Sequence, residues 1–276
     1  MKSIKNLHKM RTVPALVGLL LAGSVSSAQA IDYVGTADYT KGTGAAGDEE
    51  IVGPFDTYDF GAGVVLLKPS GPVGPTTSFN GTYQSYVTKH ELSGTPVAAP
   101  KLDSTYELTA VANFTQSVTQ VSPTVSQVQV TGGTFKLYRD TTPDRSFTLD
   151  TGFSDGEVIL AGTILSGAGS ASTMSGMIFG VNDLNIRVDT YNTSIFNPKT
   201  IAGGEGIFTL RLGSSSDAAF LAGITRVGGN TVTPNDLKFA ADGNVVLSAV
   251  PEPATYGMLI AGLGLVGFTV RRRKQR

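Results

Sequence analysis

The 276-residue chain has no cysteine, no tryptophan and only two histidines. Without cysteine no disulfide can form even in an oxidising compartment, so stability must come from a buried core. One histidine, His8, falls in an N-terminal leader, which leaves His90 as the one imidazole of the body. A Ser-His-Asp arrangement would have to use it, yet no G-x-S-x-G elbow accompanies it. One histidine and no cysteine likewise make a poor ligand set for zinc. Absence of tryptophan removes the largest stacking platform for sugars and leaves Tyr83, Tyr86, Tyr138 and Tyr191 as candidates, although alternating aromatics in strands more often face a core.

What is present is concentrated at the two ends. Met1–Arg11 carries Lys2, Lys5, Lys9 and Arg11, Val13–Gly23 is apolar, and Ala28-Gln29-Ala30 supplies small residues suited to signal peptidase. Residues 1–30 therefore read as a secretory signal peptide cleaved after Ala30, with Ile31 as the first mature residue. An apolar run of about 11 residues is too short for an uncleaved anchor. At the other end, Ala254–Val270 is 17 residues without a charge; as a helix it spans roughly 25 Å, near the lower limit for crossing a bilayer. Arg271, Arg272, Arg273, Lys274 and Arg276 follow at once and act as a stop, holding the tail on the cytoplasmic side. A buried core helix is the alternative, but such a helix seldom ends in a block of cations.

Between these ends lies an acidic body. Of 21 Lys and Arg, 4 lie in the leader and 5 in the tail, leaving 12 against 22 Asp and Glu between Ile31 and Pro253, a net charge of −10. That balance argues against a nucleic-acid partner, which requires clustered cations, and suits divalent ions. Period-two alternation in Leu184–Asp189 and Phe208–Leu212 marks half-buried strands. Gly132-Gly133 and Asp242-Gly243 each sit between two such runs and are expected to be hairpin turns. Further runs at Val64–Lys68, Thr82–Val87, Thr105–Phe114, Phe147–Asp150, Glu157–Leu165 and Met177–Val181 come at intervals suited to a sandwich or barrel. The expectation is an all-β, antiparallel exported domain over 31–249, sandwich- or jelly-roll-like, followed by one transmembrane helix at 254–270. Gly35–Gly53, Pro69–Thr77, Ser93–Pro100 and the small-residue stretch Ser166–Ser175 read as connections.

Candidate chemistry is sparse. Asp140, Asp144, Asp150, Asp155 and Glu157 lie close in sequence and can gather oxygen ligands for Ca²⁺, the one candidate ion, without any EF-hand spacing; solvated turn carboxylates are the plainer reading. Two carboxylates can also serve glycoside hydrolysis if their separation in space allows it. Asn80-Gly81-Thr82, Asn113-Phe114-Thr115 and Asn192-Thr193-Ser194 fit the N-glycosylation tripeptide, a frequent chance match.

Val250-Pro251-Glu252-Pro253 stands directly before the apolar span. Two prolines fix φ and remove two N–H donors, so the strip stays extended and exposed at the membrane surface. A proline helix start would explain Pro253 but not the tetrapeptide. Taken together, VPEPA, a single span and a terminal Arg cluster at residues 250–276 resemble the PEP-CTERM sorting signal of Gram-negative bacteria. The resemblance implies that an integral-membrane exosortase recognises Pro251, Glu252 and Pro253 and passes the body from an inner-membrane intermediate to the cell surface or extracellular matrix. Phe79-Asn80-Gly81-Thr82-Tyr83-Gln84-Ser85-Tyr86 and the Gly-Thr-Phe-x-Leu-Tyr-x-Asp stretch at Gly133–Asp140 are similar to flocculation-associated PEP-CTERM proteins. That similarity implies a non-catalytic matrix protein acting with exopolysaccharide in flocs or biofilm. An exported glycoside hydrolase with paired carboxylates is the alternative.

Overall fold

A computed structural model describes residues 31–40, 50–175, 177–201, 205–212, 218–249 and 263. The predicted leader, the proline-glutamate-proline strip and the cationic tail lie outside them, as does the predicted span apart from Leu263. Among the described residues no helix is long and apolar enough to cross a membrane.

In chain order the elements are β1 (Ile31–Asp32), β2 (Gly35–Asp38), β3 (Ile51–Phe55), β4 (Thr57–Phe60), β5 (Gly63–Pro69), β6 (Thr76–Leu92), β7 (Thr95–Val97), β8 (Glu107–Ser122), β9 (Val125–Asp140), β10 (Glu157–Met174), β11 (Met177–Tyr191), β12 (Phe196–Asn197), β13 (Glu205–Leu212), α1 (Ala218–Ala222), β14 (Arg226–Val227), β15 (Asn230–Thr231), β16 (Leu237–Val246) and β17 (Ser248–Ala249). The all-β, antiparallel expectation holds. The strand order gives it a particular form. β6, β8, β9, β10, β11, β13 and β16 pair one after another, and β16 then pairs with β4 and β5, which both pair back to β6. Counting β4 and β5 as one strand interrupted at Gly61-Ala62, the ring has eight members and no open edge. This is an up-and-down order, not the crossed connections of a jelly roll, and the sandwich-like packing is achieved by one continuous sheet. Eight strands enclose an interior that side chains can fill.

Alternation decides which face turns inward. Phe79, Tyr83, Ala110, Ala112, Phe114, Phe135, Leu137, Ile164, Leu184, Ile186 and Val188 form the buried cluster, while Asn113, Thr134, Lys136, Arg187 and Asp189 point outward. Apolar-in and polar-out is the reverse of a membrane-spanning barrel, whose lipid-facing band must be apolar. Strand β5 departs from alternation because both its faces are covered: Val65 and Leu67 join the interior, and Val64 and Leu66 pack under Ile224, Val227 and Phe220 of the segment carrying α1 and β14. Burial on both faces explains the unbroken Val-Val-Leu-Leu run.

Three expected connections are strand interiors instead. Gly132-Gly133 lies within β9, where Thr131 bulges because Thr115 and Gln116 of β8 pair with Gly132 and Val130. A side chain at Gly133 would run into the Asn113 carbonyl and the Phe114 backbone, so the glycine answers a close approach, not a turn. Asp242-Gly243 lies within β16, opposite the Gly61-Ala62 break between β4 and β5. Ser166–Ser175 is mostly β10; its Gly167 and Gly169 lie against Leu184, Val130 and Asn182. Glycine-rich stretches resemble loops by composition, and only the neighbouring strands reveal that they are paired.

One end of the ring is capped by a small sheet of β12, β2 and β3. It brings Tyr33, Tyr39, Phe55, Ile195 and Phe196 onto the interior, where Tyr58, Tyr106 and His90 meet them. Beside it β1 pairs with β17, Ile31 opposite Ala249. The two ends of the described body are therefore neighbours.

Candidate functional site

Among the described residues, three places bring chemistry-bearing side chains together. The first is the loop from β9 to β10. Glu107, fully buried at the start of β8, accepts hydrogen bonds from the backbone N–H groups of Asp144 (3.1 Å) and Arg145 (3.2 Å), and pairs with the Arg145 guanidinium at 2.6 Å. Arg145 also bonds Asp103 at 2.7 Å and lies 3.7 Å over the Tyr86 ring. A buried carboxylate thus pins the loop, and the pinning sets Asp140, Asp144 and Asp155 face to face, with one oxygen of each within 4.8 Å of the others. That oxygen-only donor set suits a hard divalent cation.

The remaining two predicted acids do not join. Asp150, at φ 59°, accepts from the N–H of Gly228 (2.8 Å) and of Gly229 (2.7 Å), tying down the β14–β15 turn, and from the Gln84 amide (3.1 Å). Glu157 pairs with Arg139 at 2.6 Å and accepts from Asn192 at 2.6 Å. Both are structural ties.

His90 is the second place. A bulge in β6 opposite Asp59 and Phe60 turns His90 back to the inside, where Tyr58 is its cross-strand partner. Its Nε2 lies 2.8 Å from the Tyr39 hydroxyl, which is 2.8 Å from that of Tyr58; Phe55 meets the ring edge-on at 4.8 Å. Burial pushes the imidazole pKa down to about 3 and those of Tyr39 and Tyr58 well above the usual phenol range. A fully buried neutral histidine among aromatics is part of the core packing.

The third place is on the outer surface. A shallow groove of about 570 Å³ crosses β6, β8 and β9, with Asn80 and Thr82 on one side, Asn113 and Thr115 in the middle, and Thr134 and Asn230 beyond. The sequence marked Asn80-Gly81-Thr82 and Asn113-Phe114-Thr115 only as glycosylation tripeptides; that they face one groove follows from Thr82 standing opposite Asn113 and Asn113 opposite Thr134. Outward parity on consecutive antiparallel strands was the available signal, and nothing in the sequence pointed to Asn230. A second cleft, of about 460 Å³, lies beside the cap between β2 and the 193–199 segment and contains Asp38 and Lys199.

The tyrosines considered for sugar stacking are mostly unavailable. Tyr83 is fully buried, Tyr138 is buried to 8% exposure, Tyr86 is covered by Arg145, and Tyr191 packs edge-on against Phe196. Their alternation served the core.

A family model for the PEP-CTERM protein-sorting motif matches residues 249–274. The chain carries a PEP-CTERM sorting motif. The match begins at Ala249, the last residue of β17, so in sequence the motif follows directly on the described body. It indicates an exosortase-targeted exported protein, with exosortase as processing partner and the cell envelope or surface as destination. No curated protein and no solved structure matches the chain.

Proposed function

We propose that this PEP-CTERM protein is a non-catalytic surface or extracellular-matrix protein that acts with exopolysaccharide in floc or biofilm formation. The observation that carries the reading is the junction at Ala249, where a sorting motif follows directly on a self-contained, polar-faced barrel. Export would deliver this body after removal of residues 1–30 and of the segment beyond Pro253. Its excess of acidic residues keeps it soluble and favours divalent-ion bridges to anionic polymer. A glycosidase reading draws on the Asp140, Asp144 and Asp155 group, which lines neither groove described above. Incubation with the host's polysaccharide separates the two: binding without chain shortening supports the matrix role, and shortening supports hydrolysis.

Sorting itself is tested at Glu252. Glu252→Gln keeps shape and both prolines while deleting the charge that a recognising enzyme would bind, an interaction worth roughly 1.5–3 kcal/mol, or ten- to a hundredfold in recognition. The variant is expected to accumulate uncleaved in the membrane, whereas Arg272→Gln, which leaves four tail cations, is processed normally. Mass spectrometry of the membrane and released fractions reads the outcome. Release of Glu252→Gln at the parental rate would reduce the tetrapeptide to a rigid helix lead-in.

A further inference from the structure

We propose that the groove across β6, β8 and β9 binds a neutral, hydroxyl-rich polysaccharide segment, an assignment that rests on the exopolysaccharide reading and gives it a location and a ligand class. Residues of β6, β8 and β9 together with Asn230 line the groove. Its polar groups are three amides, Asn80, Asn113 and Asn230, and three hydroxyls, Thr82, Thr115 and Thr134, with no ionisable side chain. On a body with a net charge of −10, that is a local departure. An anionic ligand would find no cation there, a metal or cationic polymer no carboxylate, and an apolar ligand would cover the Asn80 amide, the Asn113 NH₂ and the Thr134 hydroxyl without giving them partners. A neutral polyol fits, because an amide offers donor and acceptor side by side and a threonine hydroxyl plays both roles, matching adjacent sugar hydroxyls.

The groups are held in register and only partly used. Thr82 Oγ1 donates to Asn113 Oδ1 at 3.2 Å and accepts from Asn230 Nδ2 at 3.3 Å, a chain that fixes three of the six side chains. Thr115 pairs with Thr131 at 2.8 Å. Among the described residues the Asn80 amide, the Asn113 NH₂ and the Thr134 hydroxyl make no hydrogen bond and face solvent, left for a ligand. Gly81, Gly132 and Gly133 contribute bare backbone to the lining, and a side chain at Gly81 would point inward against the Phe114 ring. A side chain at Gly133 would strike the Asn113 carbonyl and the Phe114 backbone, so the glycine preserves the close approach of β8 and β9 beneath the groove. Volume is adequate as well: about 570 Å³ falls within the range of small-ligand sites. Recognition here runs through in-plane hydrogen bonds instead of aromatic stacking, which accords with the absence of tryptophan and the burial of Tyr83.

The test is affinity electrophoresis of the purified full chain in detergent, in native gels cast separately with dextran, galactomannan, xyloglucan or the anionic polymer alginate. Retardation is expected in at least one neutral gel and not in alginate. It should weaken about tenfold in Asn113→Ala, which removes a donor and an acceptor from the centre of the groove, and in Thr134→Trp, which fills it. Both positions are exposed, so circular dichroism and thermal midpoints should match the parent. Retardation by a neutral polymer that both folded variants retain would overturn the groove assignment while leaving a polysaccharide-binding protein. Retardation by alginate alone would overturn the neutral-ligand assignment and leave the matrix role. No retardation in any gel would remove both.

Discussion

The two ends of the barrel are built differently. At the capped end, Tyr33, Tyr39, Phe55, Tyr58 and Tyr106 are all but completely buried around His90, beneath the three-stranded sheet of β12, β2 and β3. At the far end the β8–β9 and β10–β11 hairpins run beyond the core, and Met174 is 66% and Val121 52% exposed. Phe179 and Val181 of β11, on the outer face, are exposed as well. Both far hairpins are nonetheless paired out to their turns, Ser122 with Val125 and Met174 with Met177. Backbone pairing alone therefore does not place the stability; the cap does, by supplying apolar partners to side chains that would otherwise end in water.

The sharpest way to break this contrast is Phe55→Ala. Its ring packs against Tyr33, Tyr58 and His90, with centroids at 6.5, 5.1 and 4.8 Å, and losing a buried phenylalanine costs about 3–5 kcal/mol. Denaturant unfolding should show the whole body destabilised by this amount. A loss of 1 kcal/mol or less would mean that the cap is dispensable.

The next effect is a pH dependence. His90 is neutral in the native state, with its pKa lowered from 6.5 to about 3 by burial among Tyr39, Phe55 and Tyr58. Below pH 6.5 the unfolded chain binds a proton that the native state refuses, so stability is full above that value and falls as pH drops toward 3. Between pH 7 and pH 5 the loss is about 2 kcal/mol. Glu50, raised by burial, acts with the opposite sign, its contribution being lost as pH rises through its elevated pKa. His90→Phe should flatten the decline between pH 7 and pH 5, measured by urea unfolding at each pH. An unchanged slope would assign the decline to other groups.

The smallest effect belongs to the far end. Phe179→Ser, on an exposed outer face, should change stability by no more than about 0.5 kcal/mol. Amides near Val125 and Met174 should exchange hydrogen well before those of Tyr58 and His90. Equal protection at both ends would remove the distinction.

Residues 31–249 and the C-terminal motif differ just as much in how far the sequence exposes them. The motif was readable as written because it is a linear segment, in which proline, glutamate, an apolar run and cations follow one another along the chain, and the family match covers residues 249–274. All-β character was readable too, since alternation such as Leu184–Asp189 is local. The glycine pairs misled because composition shows that a residue is small and not what lies beside it; Gly133 is required by the Asn113 and Phe114 backbone of another strand.

By itself, then, the sequence determined that the chain carries a C-terminal sorting motif, that its body is antiparallel β without disulfides, and that acidic residues outnumber basic ones there. Tertiary structure alone decided that the sheet closes into a ring, that Asp140, Asp144 and Asp155 meet while Asp150 and Glu157 are tied elsewhere, and that Asn80, Asn113 and Asn230 share one groove. The physical reason is separation along the chain. Local periodicity and linear motifs act over a few residues, whereas ring closure joins β5 to β16 and the groove joins Asn80 to Asn230, and only strand register brings such distant residues together.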